Sequence, residues 1–440
     1  MVDVGAMLGT PNASRNRLAP EDSAAHDWYR FVLSYPPHLV RHYLDRFGVT
    51  EHSRVLDPFC GTGTTLVECK KRGIPSVGIE AHPMTRFASS VKTNWAADPT
   101  GLLAHAETIA GIALKRMADQ GIDDHLLATA NGRDDYRTIP PESHKLLLTN
   151  SISPRPLHKV LVLRDVLEEY AVPEYADHEK LALAKALVYS ISNLHFGPEV
   201  GVGPAAPDAR VVGPWLANII EMANDLGHLQ AAGREAVPAD VKHADARNVI
   251  NVLAPSSIDA VICSPPYPNE KDYTRTTRLE SVLLGFVTSK AELQLVKRGL
   301  VRSNTRTVYK GDDDDQYIAS HPEIERIARA IEARRLELGK TSGFERMYHR
   351  VTKLYFGGMA KHLADLRTVL RPGAQLAYVV GDQASFLQVM IRTGQLVAEI
   401  GDRLGYEVVD RDLFRTRLAT ATGEQLREEV VILRWPGDRH

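Results

Sequence analysis

Arg54-Val55-Leu56-Asp57-Pro58-Phe59-Cys60-Gly61-Thr62-Gly63-Thr64-Thr65 decides the fold. Arg54 to Asp57 reads as a strand and Pro58 to Thr65 as a tight loop, in which Gly61 and Gly63 let the backbone turn sharply and approach a ligand closely. Leu66 to Arg72 reads as a helix closed by Gly73, and Ser76 to Glu80 as a second strand. This is a βαβ unit with its glycines at the first strand-to-helix turn, where doubly wound folds bind nucleotides. A dinucleotide fingerprint would carry a third glycine at position 66, but Leu66 stands there, which argues against a nicotinamide or flavin ligand.

Acids at successive strand ends describe another ligand. Asp57, just ahead of the loop, suits an amino-acid tail whose ammonium needs an acidic or carbonyl partner. Glu80, at the tip of the second strand, is placed to accept hydrogen bonds from ribose hydroxyls, and Asp245, ending a later strand, from the exocyclic amine of adenine. With a helix N-terminus behind the glycines, the set describes a pocket for S-adenosylmethionine.

A second stretch, Val261-Ile262-Cys263-Ser264-Pro265-Pro266-Tyr267, ends a buried strand that starts at Ile258. Two consecutive prolines stop the ladder, because neither donates a backbone hydrogen bond. A serine hydroxyl, carbonyls without ladder partners and an aromatic ring then fall together between Ser264 and Tyr267. That set suits a planar heterocycle carrying an exocyclic amine.

The chain of 440 residues has room for two domains, or for one with large insertions. A net charge of −2 confines any nucleic-acid surface to a local basic patch. Cys60, Cys69 and Cys263 fit neither a disulfide framework nor a zinc site, and no metal is expected. No apolar run approaches the ~18 residues of a membrane-spanning helix, and no signal pattern opens the chain. The expectation is a cytoplasmic protein without membrane contact.

Residues 1–25 read as a flexible tail, followed by His26 to Phe31 and by Tyr35-Pro36-Pro37, which starts a helix running toward Phe47. From 96 to 239 the pattern changes to long amphipathic helices, such as Leu102 to Met117, Leu157 to Tyr170 and His178 to Asn193. Asn193 to Pro204 is a glycine- and proline-rich loop in which His195 and Phe196, with Trp215 beyond, are candidates to wedge or stack against bases. After the Ile258 to Cys263 strand come a helix from Asp272 to Phe286 and a basic stretch with Lys290, Lys297, Arg298, Arg302 and Arg306. Asp312 to Asp315 reads as a solvated acidic loop, and Glu323 to Leu338 as a charged helix. A helix from His349 to Leu370, a strand from Gln375 to Val380 and a last strand from Glu429 to Trp435 complete the chain. The fold class expected is α/β, a Rossmann-like doubly wound sheet with a large helical insertion and a second, smaller one.

Asp57-Pro58-Phe59-Cys60-Gly61-Thr62-Gly63-Thr64-Thr65 together with Ser264-Pro265-Pro266-Tyr267 resembles the amino-group DNA methyltransferases. In that family the FxGxG loop binds S-adenosylmethionine, and a (Ser/Asp/Asn)-Pro-Pro-(Tyr/Phe) tetrapeptide holds the flipped base. Tyr35-Pro36-Pro37 resembles the proline segment that helps enclose the cofactor. The resemblance implies a methyltransferase sheet built from residues 26–95, 240–268 and 350–440. It implies Tyr35, Pro36, Asp57, Phe59, Gly61, Gly63, Thr64, Thr65, Glu80 and Asp245 at the cofactor, and Ser264, Pro265, Pro266 and Tyr267 as catalytic. Asp245 lies 19 residues ahead of Ser264, a gap too short for a recognition domain. Target reading therefore falls to 96–239, to 269–349 or to both, the second as a candidate DNA contact.

The Ser-Pro-Pro-Tyr form is most typical of N4-cytosine enzymes, and the Asp or Asn form of N6-adenine enzymes. The expected activity is site-specific methylation of double-stranded DNA at N4 of cytosine, with a restriction endonuclease of the same specificity as a candidate partner. Alternatives are an N6-adenine enzyme, an RNA methyltransferase, or a module that binds DNA without turnover. A carbon-5 cytosine enzyme would need a nucleophilic cysteine, usually after proline, whereas Cys263 follows Ile262 and Cys60 lies in the glycine loop. Among the basic residues of 290–306 and 326–353, Arg302-Ser303-Asn304-Thr305-Arg306 is the first candidate to follow a phosphate backbone.

Overall fold

The βαβ unit forms the middle of a seven-stranded sheet in the computed structural model of the chain, which describes residues 17–30, 34–128, 135–197, 199–269, 271–418 and 423–437. Strands β1 (Val55–Asp57), β2 (Ser76–Glu80), β3 (Ala239–His243), β4 (Ile258–Cys263) and β5 (Leu370–Gly381) run parallel. Strands β6 (Glu407–Leu418) and β7 (Gln425–Arg434) complete the order β3-β2-β1-β4-β5-β7-β6, with β7 antiparallel to both neighbours. From β1 the chain builds outward to β2 and β3, then returns to start β4 on the other side. Strand order thus reverses between β1 and β4, the point at which doubly wound sheets open a ligand crevice beyond their strand ends. This is a Rossmann-like doubly wound sheet, as expected.

Both faces of the central strands are covered, which is why β4 reads as a nearly unbroken apolar run. Helix α1 (Pro37–Arg46) covers one face, burying Leu39, Val40 and Tyr43 against Val55, Ala260, Ile262 and Val379. Helices α2 (Thr64–Lys71) and α3 (Pro83–Lys92) follow the first two strands. Further along come α4 (Pro99–Asp119), α5 (Pro154–Glu169), α6 (Ala176–Ala186) and α7 (Val212–Gln230). These four share one core with Val67, Met84 and Phe87 of α2 and α3. The helical stretch is therefore an added layer on the βαβ unit, without a core of its own. Helices α8 (Lys290–Arg298) and α9 (Pro322–Glu337) lead to α10 (Tyr348–Val369), which packs Val351, Tyr355 and Met359 against Leu56, Val261 and Leu376. Helix α11 (Thr393–Arg403) joins β5 to β6.

Several expectations change. Within the stretch read as a tail, residues 1–16 lie outside the described residues, as do Phe31, Pro198 and Glu270. Pro20–Asp22, however, is a helical turn and Ser23–His26 a tight turn after it, anchored where Arg41 donates to both oxygens of the buried Asp22 at 2.8 and 2.9 Å. The single helix expected from Asp272 to Phe286 is broken at Thr277 into Tyr273–Thr276 and Arg278–Leu283. The glycine-rich loop contains a two-stranded hairpin, Leu194–Phe196 against Val200–Val202. The aspartate run is not solvated throughout: Asp314 is buried and pairs with Arg247 at 2.5 Å, and Asp312 pairs with Arg302 at 2.8 Å. Strand β6 was not anticipated, because this edge strand buries only Asp412 and Phe414 and lacks a clean apolar alternation.

Candidate active site

The C-terminal ends of β1 and β4 are neighbours, since Leu56 stands opposite Val261 in the parallel ladder. The glycine loop after β1 and the Ser-Pro-Pro-Tyr corner after β4 consequently face a common cavity of about 530 Å³. Of the residues singled out from sequence, Tyr35, Phe59, Gly61, Thr64, Glu80 and Asp245 line it, together with Ser264, Pro265, Pro266 and Tyr267. Pro36, Asp57, Gly63 and Thr65 do not; they form the layer beneath.

That layer fixes the loop. Asp57 is fully buried, accepting the Phe59 N–H at 3.0 Å and the Tyr35 hydroxyl at 3.2 Å. Burial pushes its carboxyl up to about 7. Thr65 bonds the Tyr35 hydroxyl and donates its own to the Ile262 carbonyl at 3.1 Å, tying the loop to β4. Gly63 has φ +87°, and a β-carbon there would stand 2.5 Å from Ser89 Oγ, so both conformation and space require glycine. The Glu80 carboxylate accepts the Gly61 N–H at 2.8 Å and the His82 N–H at 2.7 Å, joining the loop to the tip of β2. Burial raises its carboxyl above the ordinary value.

On the far side of the loop, Phe59 packs edge-on to His362, with ring centres 5.0 Å apart. His362 Nδ1 lies 2.7 Å from the Ala246 carbonyl, which can only accept. Nδ1 therefore carries the proton, and Nε2 accepts from the Tyr378 hydroxyl at 2.7 Å. Burial holds this imidazole down at about 4, so it is neutral near pH 7. Asp245 caps the turn after β3 and is clasped by Arg247, which also reaches Asp314. This connects the second insertion to the wall of the cavity.

At the other end the β4–β5 ladder stops at the Cys263–Tyr378 pair. Ser264 Oγ donates to the Val379 carbonyl at 3.3 Å, leaving its lone pairs to accept. Tyr267 rests on Gly381, the last residue of β5.

The N6/N4 DNA methylase family model matches residues 12–86, the segment that carries the glycine loop. Over nearly the whole chain the sequence is 24% identical to the Type II methyltransferase M.BsoBI of Geobacillus stearothermophilus, covering 94% of this chain and 85% of that protein. In sequence the chain is similar to the amino-group DNA methylases. The Type II methyltransferase M.AvaI of Nostoc sp. is 23% identical, covering 89% of this chain and 80% of its own. Among solved structures, an rRNA methyltransferase, aviRa, from Streptomyces viridochromogenes overlays at a TM-score of 0.34 with 12% identity, covering 95% of this chain and 94% of its own. That overlay is too loose to inform the site.

The cavity also contains residues that sequence reasoning passed over: Arg415, Arg417 and Glu428 from β6 and β7, and Asn269, Lys271 and Tyr273 after the tetrapeptide. A signal for the first three existed, since charges interrupt two stretches that otherwise carry strand residues. The proposed wedges fare differently. Trp215 is fully buried and donates to the Glu179 carbonyl at 2.9 Å, so it is a core residue. His195 is exposed and Phe196 half-buried on the hairpin, whose turn residue Glu199 reaches the cavity. Arg302 is buried, held by Asp312 and by the carbonyls of Lys297 and Arg298 at 3.0 and 3.2 Å, which removes it from any phosphate-binding role. Cys60, Cys69 and Cys263 are buried free thiols. Among the described residues no group of His, Cys, Asp or Glu is arranged to hold a metal, and no helix is long and apolar enough to cross a membrane.

Proposed function

We propose that this protein transfers a methyl group from S-adenosylmethionine to N4 of a cytosine swung out of double-stranded DNA. The observation that carries the reading is one cavity lined at one end by the glycine loop and at the other by the Ser264 to Tyr267 corner. The donor set fits S-adenosylmethionine: Glu80 offers a carboxylate at the tip of β2 for a ribose diol, and Phe59 beside His362 offers a flat apolar wall for adenine. Bound there, S-adenosylmethionine supplies an electrophilic methyl group on a sulfonium. Asp57, Gly63 and Thr65 act indirectly, by holding the loop in shape.

The chemistry left to the chain concerns an aromatic amine, whose nitrogen lone pair is delocalised into its ring. Ser264 Oγ and the Pro265 carbonyl would accept its two N–H bonds and draw the nitrogen toward tetrahedral geometry, which frees the lone pair to form the new N–C bond; the sulfur would keep the electron pair of the S–C bond that breaks, and the nitrogen would then shed one of these two protons to solvent. Tyr267 stacks on the extruded ring, a contact worth roughly 1–3 kcal/mol and comparable to the unstacking it offsets. No covalent intermediate with the protein is needed. Positioning supplies much of the acceleration, up to ~7–11 kcal/mol in well-oriented systems. The serine at the head of the tetrapeptide favours cytosine.

Lys271 and Arg417 at the cavity are the cations placed to meet the phosphates of the extruded nucleotide. The helical layer 96–239, with its hairpin, and the insertion 269–349 are the parts that read the target sequence. By analogy with the Type II relatives, a restriction endonuclease recognising the same site is the partner. Substituting Ser264→Ala tests the site: transfer of labelled methyl to unmethylated plasmid DNA is expected to fall at least ~10-fold, and an unchanged rate rejects the assignment.

A further inference from the structure

The ion pair between Arg415 and Glu428 stands on the wall of the cavity beside Tyr267. Gly381, Glu428 and Arg415 are successive register partners across β5, β7 and β6. A point one bond beyond Gly381 Cα lies 2.9 Å from Tyr267 Cε2 and 3.3 Å from Glu428 Cγ, so ring and carboxylate stem meet above this glycine. Arg415 donates through Nε to Glu428 Oε2 at 2.5 Å and through Nη2 to Oε1 at 2.8 Å. Glu428 is buried and Arg415 half-buried, and a pair so placed gives little net stability over an apolar pair of the same volume. Its place on the cavity wall calls for another reason.

The geometry of the guanidinium supplies one. Glu428 engages the side formed by Nε and Nη2. The other side, formed by Nη1 and Nη2, keeps two parallel N–H bonds. Both faces of that fork are rigid, and the carboxylate fixes its direction.

We infer that Arg415, oriented by Glu428, is the specificity-determining residue that reads the ring edge of the target base. The inference rests on the transfer to an exocyclic amine proposed above. With its amine at Ser264 and its ring on Tyr267, a cytosine turns N3 and O2 away from the Ser264 corner, toward Glu428 and Arg415. These are two adjacent acceptors, matched to two parallel donors. Adenine in the same place offers N1 and then a C–H, which leaves one donor without a partner in a confined site. The fork thus selects cytosine over adenine independently of the serine that holds the amine.

Three proteins test this: Arg415→Met, Arg415→Lys and the charge swap Arg415→Glu/Glu428→Arg. Each is incubated with unmethylated plasmid DNA and labelled S-adenosylmethionine, and nucleosides are separated by mass spectrometry. Binding of S-adenosylhomocysteine by calorimetry and the melting temperature report on the rest of the molecule. Arg415→Met is expected to lose on the order of 100-fold in cytosine methylation, with Arg415→Lys between it and the parent and inhibitor binding within about 3-fold. The charge swap is expected to recover the melting temperature without recovering transfer. Recovery of transfer by the swap, or an Arg415→Met rate within about 3-fold of the parent, makes the pair merely structural and overturns the inference. A parent protein that labels no cytosine overturns the underlying function instead.

Discussion

Tyr267 lies on Gly381 so closely that a β-carbon at position 381 would stand 2.9 Å from Tyr267 Cε2. Gly381 ends β5 without a left-handed backbone, so its lack of a side chain serves this contact and not a turn. The ring proposed to stack on the target is held at its height by a residue 114 positions away in the chain (381 − 267).

Substituting Gly381→Ala should therefore lift Tyr267 without straining β5. The catalytic efficiency toward DNA is expected to drop roughly 10- to 100-fold, the worth of a displaced stacking platform. S-adenosylhomocysteine affinity is expected to stay within about 2-fold. Steady-state kinetics beside calorimetry separate the two, and a full-rate Gly381→Ala protein would show that the ring does not need this seat.

Three histidines make the fold acid-sensitive. His26, His82 and His362 are each held by burial at about 4, below the 6.5 of a free imidazole. Unfolding between those values takes up protons at all three sites, so their contribution is complete above about 6.5 and is lost as the pH falls through 4. Asp57, raised to about 7 by burial, acts in the opposite direction, as does Glu280, also at about 7. Their contribution is present below the ordinary carboxyl range and is lost as the pH rises through 7. Urea midpoints at pH 5 and pH 7 are expected to be lower at pH 5 in the parent. The difference should shrink in His362→Gln and grow in Glu280→Gln; the reverse order would refute the assignment.

Arg302 and Arg417 should separate structural cations from DNA contacts. Arg302→Met leaves Asp312 without its partner and is expected to cost about 3–5 kcal/mol of stability, with little change in the salt dependence of DNA binding. Arg417→Met is expected to leave the melting temperature nearly unchanged and to reduce the slope of log K against log salt by about 0.9. Binding titrations at several salt concentrations check both, and a reduced slope in Arg302→Met would contradict the placement of that residue.

Much of the fold was legible because β1, the glycine loop, α2 and β2 are local in sequence, and each obeys a simple pattern. Both halves of the cavity were legible for the same reason: Asp57 to Thr65 and Ser264 to Tyr267 carry their geometry in their own glycines and prolines. What adjoins them was not. Arg415 and Glu428 reach the cavity only because an irregular edge hairpin extends past the sheet; the charges that interrupt their strands mark these residues but not the register that brings them there. Arg302 and Trp215 misled for a common reason. An arginine in a basic run and a tryptophan beside a loop look available until their partners, Asp312 and the Glu179 carbonyl, are brought in from elsewhere in the chain.

The central claim is the identity of the methylated atom, and the most direct measurement is of the product. Unmethylated plasmid DNA incubated with the protein and methyl-labelled S-adenosylmethionine, then digested to nucleosides and analysed by mass spectrometry, is predicted to carry label in N4-methylcytosine. Label found instead in N6-methyladenine or 5-methylcytosine, or in neither DNA base above a no-enzyme control, would contradict the account.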